Sequence, residues 1–115
     1  MKILGLDVST SIIGVTVMEN NKIIFSDAWD LRNKNKYPDV FEKAHFVNKK
    51  MVEIDHHYKP DAVFIEKSLQ MFRSGFSSAK TLSTLSSFNG IVSFLCFHRL
   101  GRKPEYVSAS SARKA

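Results

Sequence analysis

The chain reads as an α/β protein: a five-stranded mixed sheet, three antiparallel strands followed by crossovers, flanked by helices. Three observations predict this. Two short apolar runs, Ile3-Leu4-Gly5-Leu6-Asp7-Val8 and Ala62-Val63-Phe64-Ile65-Glu66, have the composition of interior strands. Two further strand-like segments and one helix-periodic stretch lie between them. The order strand, strand, strand, helix, strand, helix, strand then gives a hairpin meander followed by right-handed crossovers.

Residues 2–8 and 11–19 form the first two strands, joined by the short link Ser9-Thr10. Asn20-Asn21 is a turn signal, because both residues tolerate positive φ. Residues 22–31 continue as a third antiparallel strand, and Arg32 to Tyr37 is a polar, basic loop. Pro38-Asp39 opens a helix. Asp39 serves as its cap, with Glu42 completing a capping box. Val40, Ala44, Val47, Met51, Ile54 and Tyr58 recur at helical spacing as a stripe facing the sheet. His56, His57 and Lys59 end this helix, where cations suit its dipole. Adjacent histidines point to different sides of a helix and make a poor metal pair.

Pro60-Asp61 restarts the chain, and residues 61–66 form the fourth strand. A loop from Lys67 to Phe76 precedes a long helix over residues 77–99. The first half of that helix is rich in Ser and Thr. The second half is apolar on nearly every side and is expected to be buried all round, with help from a partner chain. Gly101 stops the helix. Pro104-Glu105-Tyr106-Val107 reads as the fifth strand, and Ser108 to Ala115 as the start of another helix.

The 115 residues suffice for one domain with a modest core, and no repeat or interdomain linker interrupts them. Hydrophobic residues at 43% and charged residues at 24% exclude a disordered chain. No apolar run reaches the ~18–20 residues that span a bilayer. No signal peptide is visible, so a cytoplasmic setting is expected. The one cysteine, Cys96, lies in an apolar run and reads as an inert buried thiol. The net charge of +6 is uneven: residues 1–66 hold nine Lys/Arg and ten Asp/Glu, whereas residues 67–115 hold eight Lys/Arg and only Glu105. A basic half beside an acidic site suits a polyanion laid over metal-binding carboxylates, and it equally suits a solvated basic surface.

The chemistry rests on Asp7 and Glu66. A carboxylate in an interior strand is costly to desolvate unless it is paired, hydrogen-bonded or metal-bound. If the two strands are neighbours, the carboxylates converge and repel, and a divalent cation between them removes the conflict. Mg²⁺ favours carboxylate oxygen and keeps several waters, with Mn²⁺ as a substitute. Two such ions can drive phosphodiester hydrolysis. Two carboxylates are too few to hold both ions firmly, and Glu105 is expected to lie far from the site. The plainer readings also stand: Asp7 as a strand-end cap bonding Ser9, Thr10 or Ser11, and Glu66 in an ion pair with Lys67. Ser9, Thr10 and Ser11 either support a metal site or only make a tight turn.

These segments resemble the RuvC-type Holliday-junction resolvases, within the RNase H-like nucleases. The resemblance is carried by residues 3–15 (ILGLDVSTSIIGV), residues 60–67 (PDAVFIEK), the small-residue helix start Ser77-Ser78-Ala79-Lys80-Thr81-Leu82, Asn89-Gly90, and a closing segment, residues 106–114, similar to phage-encoded members. It implies an RNase H-like fold over residues 1–115 and a Mg²⁺-dependent endonuclease cutting branched DNA. Asp7 and Glu66 would be its first two catalytic carboxylates and metal ligands. It implies further that the family's last acidic ligands lie on a helix after the fifth strand, so this chain is expected to be truncated and weakly active. It also implies a homodimer and a DNA-entry loop after Glu66. There Arg73 and Lys80 would contact phosphates and Phe72 or Phe76 would stack on an unpaired base, or anchor the loop instead. Lys34 and Lys36 form a second phosphate contact.

Two rival readings remain. Actin-like and sugar-kinase ATPases share the topology, but their phosphate-binding turn is Gly-rich, whereas Val8-Ser9-Thr10-Ser11 holds no glycine. The other is a catalytically dead RNase H-like module that binds branched DNA or a protein partner.

Overall fold

The computed structural model describes residues 1–67 and 79–108. Strand β1 (Lys2–Asp7) pairs antiparallel with β2 (Ile12–Glu19), which pairs antiparallel with β3 (Lys22–Asp30). Asn20 and Asn21 have φ of 52° and 67°, so the two asparagines make the tight turn that their tolerance of left-handed backbone predicts. A bulge between Val17 and Met18 disturbs the register with β3, and Ile23 and Ile24 beside it are exposed.

Helix α1 (Val40–Tyr58) begins where Asp39 accepts a hydrogen bond from the Glu42 amide at 2.9 Å. Only this half of the expected capping box is seen among the described residues. The helix ends on Lys59 in the left-handed region (φ 47°), whose amide donates to the Asp55 carbonyl. Pro60 follows and cannot extend it. The predicted stripe faces inward, with Val47, Met51 and Ile54 buried.

Strand β4 (Ala62–Lys67) lies parallel to β1, and helix α2 (Ala79–Leu100) leads to β5 (Glu105–Ser108), parallel to β4. Gly101, at φ 69°, takes the left-handed position that stops α2. The sheet order is β3-β2-β1-β4-β5. Strand bounds differ from the sequence reading by a residue or so. The expected loop after residue 67, the first two residues of the second helix and the closing helix lie outside the described residues.

Alternation along the strands separates two faces. Leu4, Leu6, Val8, Ile13, Val15, Val17, Val63 and Ile65 are at most 2% exposed and share one core with Val47 and Met51 of α1 and Phe88, Val92 and Cys96 of α2. Both helices therefore lie on this face. The Tyr106 hydroxyl on β5 donates to Ser93 Oγ on α2 at 2.6 Å, and Arg99 Nε on α2 donates to Asn48 Oδ1 on α1 at 2.7 Å. The other face carries Ile3, Gly5, Asp7, Ile12, Gly14, Thr16, Phe64 and Glu66, and no helix among the described residues covers it.

The apolar half of α2 is not buried all round by this chain's described residues: Phe94 and Phe97 are 57% and 49% exposed, on the helix half for which the sequence called on a partner chain. The helix packs on α1 and the sheet, and no described element covers its remaining side.

Candidate active site

The pairing of β1 with β4 decides the geometry. Their parallel register sets Ile3 beside Ala62, Gly5 beside Phe64 and Asp7 beside Glu66. Neighbouring strands lie about 4.8 Å apart, and paired residues project from the same face. The two carboxylates thus leave the sheet side by side, on the face opposite the core. Asp7 is exposed and Glu66 half-buried. They border a shallow hollow of about 230 Å³ whose floor is formed by Gly5, Gly14 and Thr16. Gly14 is the cross-strand partner of Asp7, and a Cβ there would stand 3.5 Å from the Asp7 Cβ. A side chain larger than alanine would therefore crowd the carboxylate.

The turn after β1 is held by its own groups. Ser9 Oγ accepts from the amides of Ser11 (3.3 Å) and Ile12 (3.0 Å) and donates to the Ile12 carbonyl (2.7 Å). The Ser11 carbonyl accepts from the Leu31 amide at 2.7 Å, and the Thr10 carbonyl accepts from Lys43 Nζ at 2.5 Å. Ser9 is thus a turn-former. The Asp7 carboxylate takes no part in the turn, so the strand-cap reading fails. Among the described side chains neither Asp7 nor Glu66 has a hydrogen-bond or ion-pair partner, and the expected ion pair of Glu66 with Lys67 falls on a side chain outside them.

Two like charges at the ~5 Å spacing of paired strands would repel by about 1 kcal/mol in water and about 3 kcal/mol at an effective dielectric near 20. A divalent cation removes that cost. The donors are hard oxygens on an open face with room for water, so they fit Mg²⁺ or Mn²⁺. No group of three or more His, Cys, Asp or Glu able to hold a metal occurs among the described residues. Glu105 stands opposite Phe64, short of the Glu66 level, and does not line the hollow.

The carboxyl ends of β1, β3 and β4, the β1–β2 turn, the β3–α1 loop and the start of α2 share one edge of the sheet. Lys34 and Lys36 lie exposed in that loop, which Asn33 Oδ1 fixes by accepting from the amides of Asn35 (2.9 Å) and Lys36 (3.2 Å). Lys80 is exposed at the start of α2 on the same edge. Phe72, Arg73 and Phe76 lie outside the described residues. Two charged residues here escaped the sequence reading. Arg32 grips Asp30 with two bonds of 2.9 and 2.7 Å, and this hydrogen bonding holds the Asp30 carboxyl down to about 2. Lys43 reaches the Thr10 carbonyl, a pairing across the fold that no local pattern announces. Arg32, two residues from Asp30, was findable as a local opposite-charge pair.

His56 and His57 end α1 as exposed rings in edge contact, 5.1 Å between centroids. Cys96 is buried, and burial pushes its thiol up to about 12, which agrees with an inert role.

No protein-family model and no curated protein matches the chain. Solved structures do match. RuvC from Thermus thermophilus, in complex with a Holliday junction substrate, superposes with a TM-score of 0.77 at 14% identity, over 99% of this chain and 68% of that one. The yeast mitochondrial Holliday junction resolvase gives 0.62 at 14% identity, over 97% of this chain and 52% of its own. An exopolyphosphatase from Cytophaga hutchinsonii gives 0.55 at 10% identity, over 96% of this chain and 35% of its own. The five-stranded mixed sheet with its flanking helices is the RNase H-like fold of the RuvC structures. No described helix is long and apolar enough to cross a membrane.

Proposed function

We propose that this chain carries the catalytic core of a divalent-metal-dependent endonuclease that cuts branched DNA, with four-way junctions as the leading substrate. The observation that carries the reading is the register of Asp7 beside Glu66, two carboxylates without a partner among the described side chains, on the face opposite the core of a fold that matches junction resolvases. The T. thermophilus structure holds a Holliday junction substrate, which supports branched DNA as the partner.

In this reading Asp7 and Glu66 hold the cation through their carboxylate oxygens. Bound there, Mg²⁺ or Mn²⁺ supplies the positive charge that polarises a phosphodiester and makes water a competent nucleophile. Gly5 and Gly14 keep the floor low, so the sugar-phosphate backbone can approach. Lys34, Lys36 and Lys80 hold neighbouring phosphates, and Arg73 joins them from the segment after Glu66. Phe72 and Phe76 from that segment stack on bases left unpaired at the branch. The exposed Phe94 and Phe97 form a homodimer surface whose two-fold symmetry matches a four-way junction.

The actin-like alternative loses ground at the β1–β2 turn. A phosphate cradle needs free backbone amides, and Ser9 Oγ already occupies those of Ser11 and Ile12.

The test is cleavage of labelled four-way junction, flap and linear duplex in Mg²⁺, by this chain and by the longest natural reading frame containing it. Junction cutting by the longer chain, lost in Asp7→Asn and Glu66→Gln, is the expected result. Salt-sensitive junction binding with no cutting by either chain would leave a DNA-binding module instead.

A further inference from the structure

The edge that holds Asp7 and Glu66 has a second, larger hollow of about 530 Å³. It opens between the β1–β2 turn (Thr10, Ser11), the β3–α1 loop (Arg32, Lys34), the first turn of α1 (Lys43) and the first half of α2 (Thr84). Three cations line it against one carboxylate, Asp39, whose Oδ1 is already engaged as the α1 cap. Arg32 is anchored by Asp30, which holds its guanidinium in place and balances its charge, so the excess positive charge of the hollow comes from Lys34 and Lys43. Lys34 has no hydrogen-bond or ion-pair partner among the described residues.

Lys43 is the informative member. It is half-buried, and its ammonium bonds a neutral carbonyl, that of Thr10, rather than a carboxylate. Its hydrogen bond is satisfied while its charge is left uncompensated, which favours an anion beside it. Arg32 and Lys34 on the β3–α1 loop and Lys43 on α1, spread around a hollow of this volume, suit an extended polyanion better than one small ion. Thr10 follows Asp7 by three residues, so their Cα atoms lie at most about 11 Å apart. One DNA strand can touch both places.

We propose that this hollow is a phosphodiester-binding subsite that takes the DNA backbone adjoining the phosphate held at Asp7 and Glu66. The inference rests on the nuclease reading above and adds Thr10, Ser11, Lys43 and Thr84 to the strand's path. Lys43 is both a positioning residue, fixing the turn that follows Asp7, and a phosphate contact.

The experiment titrates the 115-residue chain with a short single-stranded oligonucleotide in EDTA, so that cleavage plays no part. Amide shifts are followed by NMR and affinity by fluorescence anisotropy at several salt concentrations. The amides of Thr10 and Ser11 should shift saturably. Lys34→Met and Lys43→Met should each weaken binding about tenfold and lower the salt slope by about one. Lys22→Met, the same charge change at the opposite edge, should do neither. Lys34 is exposed, so its variant reads binding even if Lys43→Met disturbs the fold. Absent shifts at Thr10 and Ser11, or an equal effect from Lys22→Met, would overturn the subsite. If no junction is cut under any condition while these amides still shift, the nuclease reading falls and the subsite stands. If Asp7-dependent cutting persists without the shifts, the subsite falls and the nuclease reading stands.

Discussion

The two faces of β1 differ more than any two elements of the molecule. Leu4, Leu6 and Val8 point into the core at no more than 2% exposure, while Ile3, Gly5 and Asp7 alternate with them on the opposite face, which no described helix covers. The same holds for β4, where Val63 and Ile65 face the helices and Phe64 and Glu66 do not. One face carries stability and the other carries the proposed chemistry, within the same few residues. The separation follows from the two-residue period of a strand. It explains how two carboxylates sit in apolar runs without being buried.

If the faces are separable, substitutions should separate as well. The largest effect belongs to Asp7→Asn and Glu66→Gln. Each should lower junction cleavage by the longer reading frame about a thousandfold or more, roughly 4 kcal/mol of barrier. The urea midpoint should be unchanged or slightly raised, because a repulsive pair is relieved. A matching fall in the midpoint would show that the carboxylates are structural.

Phe88→Ala inverts that pattern. Phe88 is fully buried at the centre of α2, and its truncation should cost about 3–5 kcal/mol in urea unfolding. Residual cleavage should track only the folded fraction.

The Cys96 thiol sharpens the description of the core. Its folded value of about 12 lies above that of the unfolded chain, near 9. The unfolded state therefore loses its proton first as pH rises. The contribution of the buried neutral thiol is complete below about pH 9 and is lost between about pH 9 and pH 12, by at most ~1.4 kcal/mol per unit. Cys96→Ala should lose less stability over that window. A thiol reagent at pH 8 should label the folded chain only as fast as it opens.

The smallest effect is expected at the α1 cap. Asp39→Ala removes the bond to the Glu42 amide and should cost about 1 kcal/mol. Asp39 also lines the basic hollow, so its loss should strengthen DNA binding slightly.

Much of this arrangement was legible in the sequence. The asparagine turn, the Asp39 cap, the α1 stripe and Gly101 are local signals, and each appears where its chemistry predicts. The pairing of β1 with β4 was only a condition at the level of sequence, because a right-handed crossover fixes the hand of the connection and not which strand it lands beside. The structure supplies it and sets Asp7 beside Glu66. Features made by distant residues were not legible. Lys43 lies on the flank of the buried α1 stripe, half-buried, and nothing near it in sequence points to Thr10. An all-apolar half-helix gives no periodicity from which to read which sides have partners, so the sequence called for a covering partner but did not single out Phe94 and Phe97 as the exposed residues. The segment with Phe72, Arg73 and Phe76 lies outside the described residues, and its role stays a proposal.

The central claim is that Asp7 and Glu66 together hold a divalent cation. The most direct measurement is an NMR titration of the 115-residue chain with Mn²⁺, whose paramagnetism broadens signals close to it. Broadening centred on Asp7, Gly14 and Glu66, weakened at least about tenfold in affinity by Asp7→Asn and by Glu66→Gln and displaced by Mg²⁺, is the predicted result. Broadening centred elsewhere, such as at His56 and His57, or unaffected by both substitutions, would contradict the account.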